Sequence, residues 1–334
     1  MNLPAVTVNP VLRRELVERM RSGRTAAVLT VYLVLLSGIL YLVYRVIRDT
    51  PTDPWESAAS QVAGAGRGIF EWLVFFMVLL VLFLVPGVSS GAIAGERERQ
   101  TLVPLQVTLL RPTSILLGKV AASTAFLLLL LVATTPLLAV SYLIGGVTIG
   151  QVLSAVAIVA FIGLALAAVS AGISACVRRV QAATVLAYGF TLVLVVGTLL
   201  VFAAASLVDT SRGTDEANAP SWILAPNPLA AVADVIEEDR GFEGLNTTSP
   251  FDGLIRLIDA EDPDAGGERM EAVGPGGDVM VFTVDENGNE IPLDDDGGDG
   301  IGFLWRSVAL LAGMAVVGIA IGARRLRAPA AAER

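Results

Sequence analysis

Six runs of twenty or more residues, nearly empty of charge, constrain this chain more than any other feature: residues 26–47, 70–94, 117–143, 151–176, 182–208 and 303–323. Runs of that length match a hydrocarbon layer roughly 30 Å thick, crossed by a helix rising about 1.5 Å per residue. In such a layer each backbone N–H and C=O needs a partner inside the protein, so the runs are expected to be α-helices. Composition agrees, since 54% of the 334 residues are hydrophobic and only 16% are charged, which excludes an ordinary soluble domain.

The first run carries 13 strongly apolar side chains between Val28 and Ile47. At roughly −0.4 kcal/mol each they contribute about −5 kcal/mol to insertion. Arg45 and Arg48 lie at its end, where long basic side chains snorkel to the interface. The run exceeds the 7–15 apolar residues of a signal peptide, so it is expected to be a permanent helix. The sixth run is the weakest, with a clean stretch over 307–323 and Arg306 at its edge.

Arg and Lys cluster in every second connection between these runs, which six crossings place on one side of the membrane. Arg13, Arg14, Arg19, Arg21 and Arg24 precede the first, Arg97, Arg99, Arg111 and Lys119 separate the second from the third, Arg178 and Arg179 separate the fourth from the fifth, and Arg324, Arg325, Arg327 and Arg334 follow the sixth. Basic connections mark the cytoplasmic side, so both termini are expected there, in the plasma (inner) membrane. Residues 209–302 hold 23 acids against 4 bases and are expected outside. The expected fold class is all-α: a six-transmembrane-helix bundle with an N-terminal interfacial helix and a large acidic extracytoplasmic loop before the last helix. The chain then divides into a tail (1–25), five spans with a cytoplasmic loop at 95–119 (26–208), the acidic segment (209–302), the last span (303–323) and a basic tail (324–334).

Within the spans, Gly163, Ala167, Ala171 and Ala175 recur every four residues, as do Gly318 and Gly322. Such stripes let helix backbones approach, either inside one bundle or at a dimer seam. Pro86 and Pro136 are tolerated in membrane helices. The spans are otherwise almost bare of charge; Glu71 and Arg306 read as interfacial residues at outer ends. That weakens an ion-coupled secondary carrier, which needs intramembrane acids or bases. There is no His, and Cys176 is the only cysteine, so His catalysis, His metal sites and an intrachain disulfide are excluded.

Before the first span, Asn9-Pro10 is a cap followed by a favoured first helical residue. Val11, Leu12, Leu16, Val17 and Met20 then share a face, with Arg13 and Arg14 elsewhere. This reads as a basic amphipathic helix, a surface anchor on the lipid bilayer or a docking element. The loop over 95–119 carries Glu96, Arg97, Glu98 and Arg99 next to two spans. Composition alone reads it as a solvated loop whose charges are free to pair with another protein.

Glu96, Arg97, Glu98, Arg99, Thr101, Leu102, Leu105, Thr108, Leu110, Ile115, Leu116, Leu117, Gly118 and Lys119 fall in the order seen after the second span of ABC-2 type transporter permeases, and the chain resembles that family. The opening Asn9-Pro10 with Arg13-Arg14-Glu15, and a large loop before the last of six spans, look similar too. Gln100, Val103, Pro104 and Leu109 depart from the family pattern, Gln100 standing at its usual Gly. The resemblance implies that 95–119 contacts a separate cytoplasmic ABC ATPase subunit, with ATP and Mg bound there. It also implies a second permease copy, as a homo- or heterodimer, and no nucleic acid. The chain has no phosphate loop of its own: Thr113 stands where the leading Gly before Gly118-Lys119 would be. Export of a substrate is the expected activity, with no covalent chemistry in this chain; a non-transporting membrane scaffold is the rival.

In 209–302, residues 220–233 are apolar enough to return towards the membrane, 254–258 reads as a short helix, and 279–284 alternates as a strand that could form a hairpin through Asn287-Gly288. Asp294, Asp295, Asp296 and Asp299 fail the spacing of a calcium loop and read as a solvated linker. Asn246-Thr247-Thr248 matches a glycosylation sequon, a short pattern of low specificity.

Overall fold

A computed structural model describes residues 23–49, 58–100, 112–211, 220–238, 249–259, 268–273, 279–284, 290–291 and 300–327. The expected amphipathic helix at 9–24, with Leu12, Arg13, Arg14, Leu16 and Met20, lies outside the described residues up to residue 22. So do Thr101, Leu102, Leu105, the sequon at Asn246, the Asn287-Gly288 turn and the aspartates at 294–299.

Six helical spans form the bundle: Ala26–Arg48, Gln61–Glu98, Thr113–Ile144, Ile149–Cys176, Val180–Leu207 and Gly302–Leu326. The first lies in helix α1 (Gly23–Asp49). The second is α2 (Ala58–Ser89) continued, after a break at Ser90, by the short α3 (Gly91–Glu98). The third and fourth are α4 (Pro112–Ile144) and α5 (Ile149–Cys176). The fifth is α6 (Val180–Leu192), a π-helical turn at Val193–Gly197, and α7 (Thr198–Ser211). The sixth is α10 (Gly300–Arg327).

Between α7 and α10 lie a 3₁₀ turn (Ser221–Ile223), α8 (Pro228–Glu238) and α9 (Asp252–Asp259). Strands β1 (Glu268–Val273), β2 (Val279–Val284) and β3 (Glu290–Ile291) follow as an antiparallel sheet in that order, with Thr283 opposite Ile291. Helix α8 is buried along its first nine residues and packs on α5 and α10, so this part of 209–302 is built into the bundle. Phe251 of the turn before α9 is fully buried edge-on to Phe75 of α2, ring centres 5.6 Å apart, which docks α9 as well.

Helix α5 is the centre of the bundle, packing on α2, α4, α6, α8 and most extensively on α10. Its start is specified locally: Thr148 Oγ1 accepts from the Gln151 N–H at 3.3 Å, and Gln151 Oε1 accepts from the Thr148 N–H at 2.7 Å, a reciprocal cap. The small-residue stripes explain its closest contact. A methyl on Gly172 would strike the Gly318 carbonyl, and one on Gly318 would come within 2.9 Å of the Val169 Cα. Ala167, Ala171 and Ala175 are likewise buried inside this chain. The stripes therefore pack inside one bundle, Gly172 and Ala175 against α10 and Gly163 against Leu127 of α4, so of the two readings of these residues it is the one within a single bundle that the structure supports.

The second span begins earlier than the sequence suggested, at Gln61 rather than near residue 70, in a helix that starts at Ala58. Residues Ala63 to Gly66 are too small to register as an apolar run, yet they are what the fold needs there. The turn between α4 and α5 holds Gly145 and Gly146 at φ of +113° and +77°, a region open to glycine. It presses so close that a methyl on Gly66 would strike the Gly145 carbonyl and one on Gly146 the Ala63 carbonyl. This extension corrects the reading of Glu71 as interfacial. Glu71 lies well inside the helix, fully buried, with its Oε1 3.0 Å from the Nε of Arg67 one turn earlier. Arg306, by contrast, is exposed near the start of α10.

Candidate functional site

The charged segment after the second span is the feature that the sequence singles out, and its side chains mostly turn inward onto this chain. The chain leaves α2 at Ser90, whose N–H still bonds the Pro86 carbonyl at 2.9 Å. Breaking the ladder there frees N–H groups at the start of α3, because the first turn of a helix has no intrahelical partners. Ser174 near the end of α5 supplies them: its Oγ accepts from Ile93 N–H at 3.0 Å and Ala94 N–H at 2.9 Å. Ser90 Oγ and Thr184 Oγ1 are 2.9 Å apart, joining the same break to α6.

The next three residues extend this tie. Glu96 Oε1 accepts from Lys119 Nζ at 3.2 Å; Lys119 is buried in the first turns of α4, close to the buried Gly118. Arg97 donates from Nη1 to the Val177 carbonyl at 2.8 Å and from Nη2 to the Ala175 carbonyl at 3.3 Å, closing the C-terminus of α5. Glu98 Oε1 accepts from the Val180 N–H at 2.8 Å, at the N-terminus of α6. Both charges have the sign that the helix end prefers: a cation at the carbonyl end of α5 and a carboxylate at the amide end of α6. Charge-assisted bonds of this kind contribute about 1.5–3 kcal/mol each. One turn of helix thus holds the ends of α4, α5 and α6 together.

Arg99 and Gln100 are exposed beyond this tie. Arg99 N–H reaches the Gly95 carbonyl and Gln100 N–H the Arg97 carbonyl, both at 3.1 Å, which ends α3 with Gln100 at φ +58°. Sequence reasoning found the charges of this segment, Lys119 among them, but not their pairing: Glu96 meets the Lys119 side chain, and Arg97 and Glu98 meet backbone groups at helix ends. It also missed Ser174, one of three serines in an apolar helix, with no pattern to set it apart from Ser154 and Ser170.

A second polar group lies at the other end of the bundle. A small cavity there is lined by Arg67, Phe70, Glu71, Val147, Gln151, Val235 and Ile236, so the buried ion pair of α2 faces α8 and the start of α5.

The sequence matches the family described as ABC-2 family transporter protein over residues 45–324, which takes in all the helices around Arg97 and the whole of the segment between α7 and α10. No curated protein matches the chain. With six spans and a match over most of its length, the chain belongs to the ABC-2 family of transporter proteins, as a multi-pass membrane permease subunit of an ABC transporter.

Proposed function

We propose that this permease exports its substrate across the plasma membrane with force received at α3 from a separate ATPase subunit. In this reading the partner docks on the cytoplasmic face, binds ATP and Mg, and does the hydrolysis; this chain carries out no covalent chemistry. Both termini lie on that same face, and a second permease copy completes the pathway.

One observation carries the reading. Helix α3 is bonded at once to Lys119 of α4, to the last carbonyls of α5 and to the first amide of α6. A push on α3 is therefore delivered to three spans together, and packed helices answer such pushes by shifting as rigid elements. The Arg and Lys clusters on the same side of all six spans support a cytoplasmic placement. The exposed Arg99 is the charge on α3's end that remains available to a partner surface.

The test is reconstitution in proteoliposomes with the ATPase that copurifies. The ATPase rate is expected to depend on this chain, and Arg99→Glu is expected to abolish that dependence while leaving membrane insertion intact. An ATPase that binds and turns over identically with wild type and with Arg99→Glu would remove the docking role from α3.

A further inference from the structure

The fifth span contains a π turn at Val193–Gly197, where hydrogen bonds reach back five residues instead of four. Such a turn holds one extra residue, and carbonyls at its edge lose their usual partner. Here an outside group fills the gap. Asn227, fully buried in the segment that leads into α8, donates from Nδ2 to the Val195 carbonyl at 3.0 Å and to Thr198 Oγ1 at 2.9 Å. Thr198 Oγ1 itself donates to the Leu194 carbonyl at 2.8 Å. The other end of the amide is also engaged: Asn227 Oδ1 accepts from the Leu229 N–H at 2.9 Å, capping α8, with Pro228 in the favoured first position. One side chain therefore both starts α8 and clamps the π turn.

The exposed and buried residues around the turn show what it controls. Leu194 is 6% exposed, whereas Leu192, Val193 and Val196 are 62%, 66% and 42% exposed. An extra residue in a helix can move along it, and each residue it passes turns by about 100° and advances about 1.5 Å. If the turn left its present place, Leu194 would swing out of its buried site and a neighbour would enter. Tyr188 is anchored to α2 by its hydroxyl, which donates to the Phe83 carbonyl at 2.9 Å, but over 189–197 the side chains are apolar except for Thr191, whose hydroxyl bonds within its own helix to Ala187. Between Tyr188 and the turn itself, among the described residues, the Asn227 amide with Thr198 is what marks this one position.

We infer that Asn227 is a latch on the register of the fifth span: while α8 is seated, the extra residue is held at Val193–Gly197, and displacement of α8 releases it to travel and turn the face of that span. Helix α8 is well placed to transmit such a displacement, because it packs against both α5 and α10, the pair at the centre of the bundle. The inference rests on reading the chain as a moving part of a transporter, but it concerns a different element from α3.

The test is a nitroxide scan of residues 186–207, one site at a time, in full-length protein in lipid nanodiscs after replacing the single cysteine, Cys176, with Ala. Oxygen accessibility in lipid follows the exposed face as a wave along the helix. Asn227→Ser keeps a hydroxyl to cap α8 but has no amide to reach Val195. In that background the wave over 189–197, beyond the Tyr188 anchor, is expected to shift in phase by about 100° relative to the wave over 198–207. An unchanged phase overturns the latch, and so does a uniform rise in accessibility, which would mean local melting. Thr198→Val, removing one of the two acceptors, is the companion variant if Asn227→Ser does not fold, and a partial shift of the same sign is expected. The scan needs neither ATP nor the partner, so its failure would leave the docking role of α3 standing, and loss of that docking role would leave the phase shift to be seen.

Discussion

The guanidinium of Arg97 reaches the carbonyl of Val177 at 2.8 Å, across 80 residues of chain, and its second nitrogen reaches Ala175. A residue that reads as a surface charge is thus the C-terminal cap of the central helix of the bundle. The two-nitrogen fork matters because α5 ends with several unpaired carbonyls at slightly different heights.

Arg97→Lys keeps the charge but offers a single point in place of a fork. It is expected to cost about 1 kcal/mol, and Arg97→Ala about 2–3 kcal/mol, in line with charge-assisted bonds to backbone. Thermal unfolding of the purified protein in one detergent, followed by loss of helical signal, gives the ranking. Equal midpoints for wild type and Arg97→Ala would show that the bonds contribute nothing net.

Gln100 sits at φ +58°, where the related pattern has Gly. A non-glycine residue in that region loses roughly 1–2 kcal/mol, part of which glycine gives back through its freer unfolded chain. Gln100→Gly is therefore expected to stabilise the protein by up to about 1 kcal/mol. The same unfolding measurement applies; a lower midpoint for Gln100→Gly would mean that the glutamine side chain contributes a bond worth more than the strain.

The positions of the six spans were legible from run length alone, because a bilayer demands long apolar helices whatever their packing. The start of α2 was not, since Ala63 to Gly66 lower the apolar signal while serving the close approach to Gly145 and Gly146. Glu96, Arg97 and Glu98 were legible as special but not as bonded back onto this chain. For Arg97 and Glu98 the partners Ala175, Val177 and Val180 contribute only backbone atoms, which any residue type would supply. The π turn had no signal in its own residues; the one polar clue, Asn227-Pro228, lies beyond the end of the span.

Close helix approach makes a graded prediction. A methyl on Gly172 meets the backbone of Gly318, which cannot move without parting α5 from α10, whereas one on Gly163 meets the flexible end of Leu127. Gly172→Ala is expected to cost about 1–3 kcal/mol, the usual range for overpacking, and Gly163→Ala less than half of that. Comparing the two midpoints decides it, and the reverse order would refute the α5–α10 contact as described.

Glu71 and Arg67 form an ion pair with almost no access to water, the carboxylate at 0% and the guanidinium at 10% side-chain exposure. Removing one partner strands the other charge, which typically costs 3–5 kcal/mol, while replacing both with apolar side chains is often neutral or stabilising by about 1–4 kcal/mol. Glu71→Gln is therefore expected to lower stability sharply. Arg67→Met together with Glu71→Leu is expected to recover part of it, because Phe70, Val147, Val235 and Ile236 around the pair are apolar while Gln151 beside them is polar. Unfolding midpoints of the single and double variants separate the outcomes. If the double variant is as unstable as Glu71→Gln, the polar groups around the pair, Gln151 among them, need its charges, which would make the pair a structural hub between α2, α5 and α8.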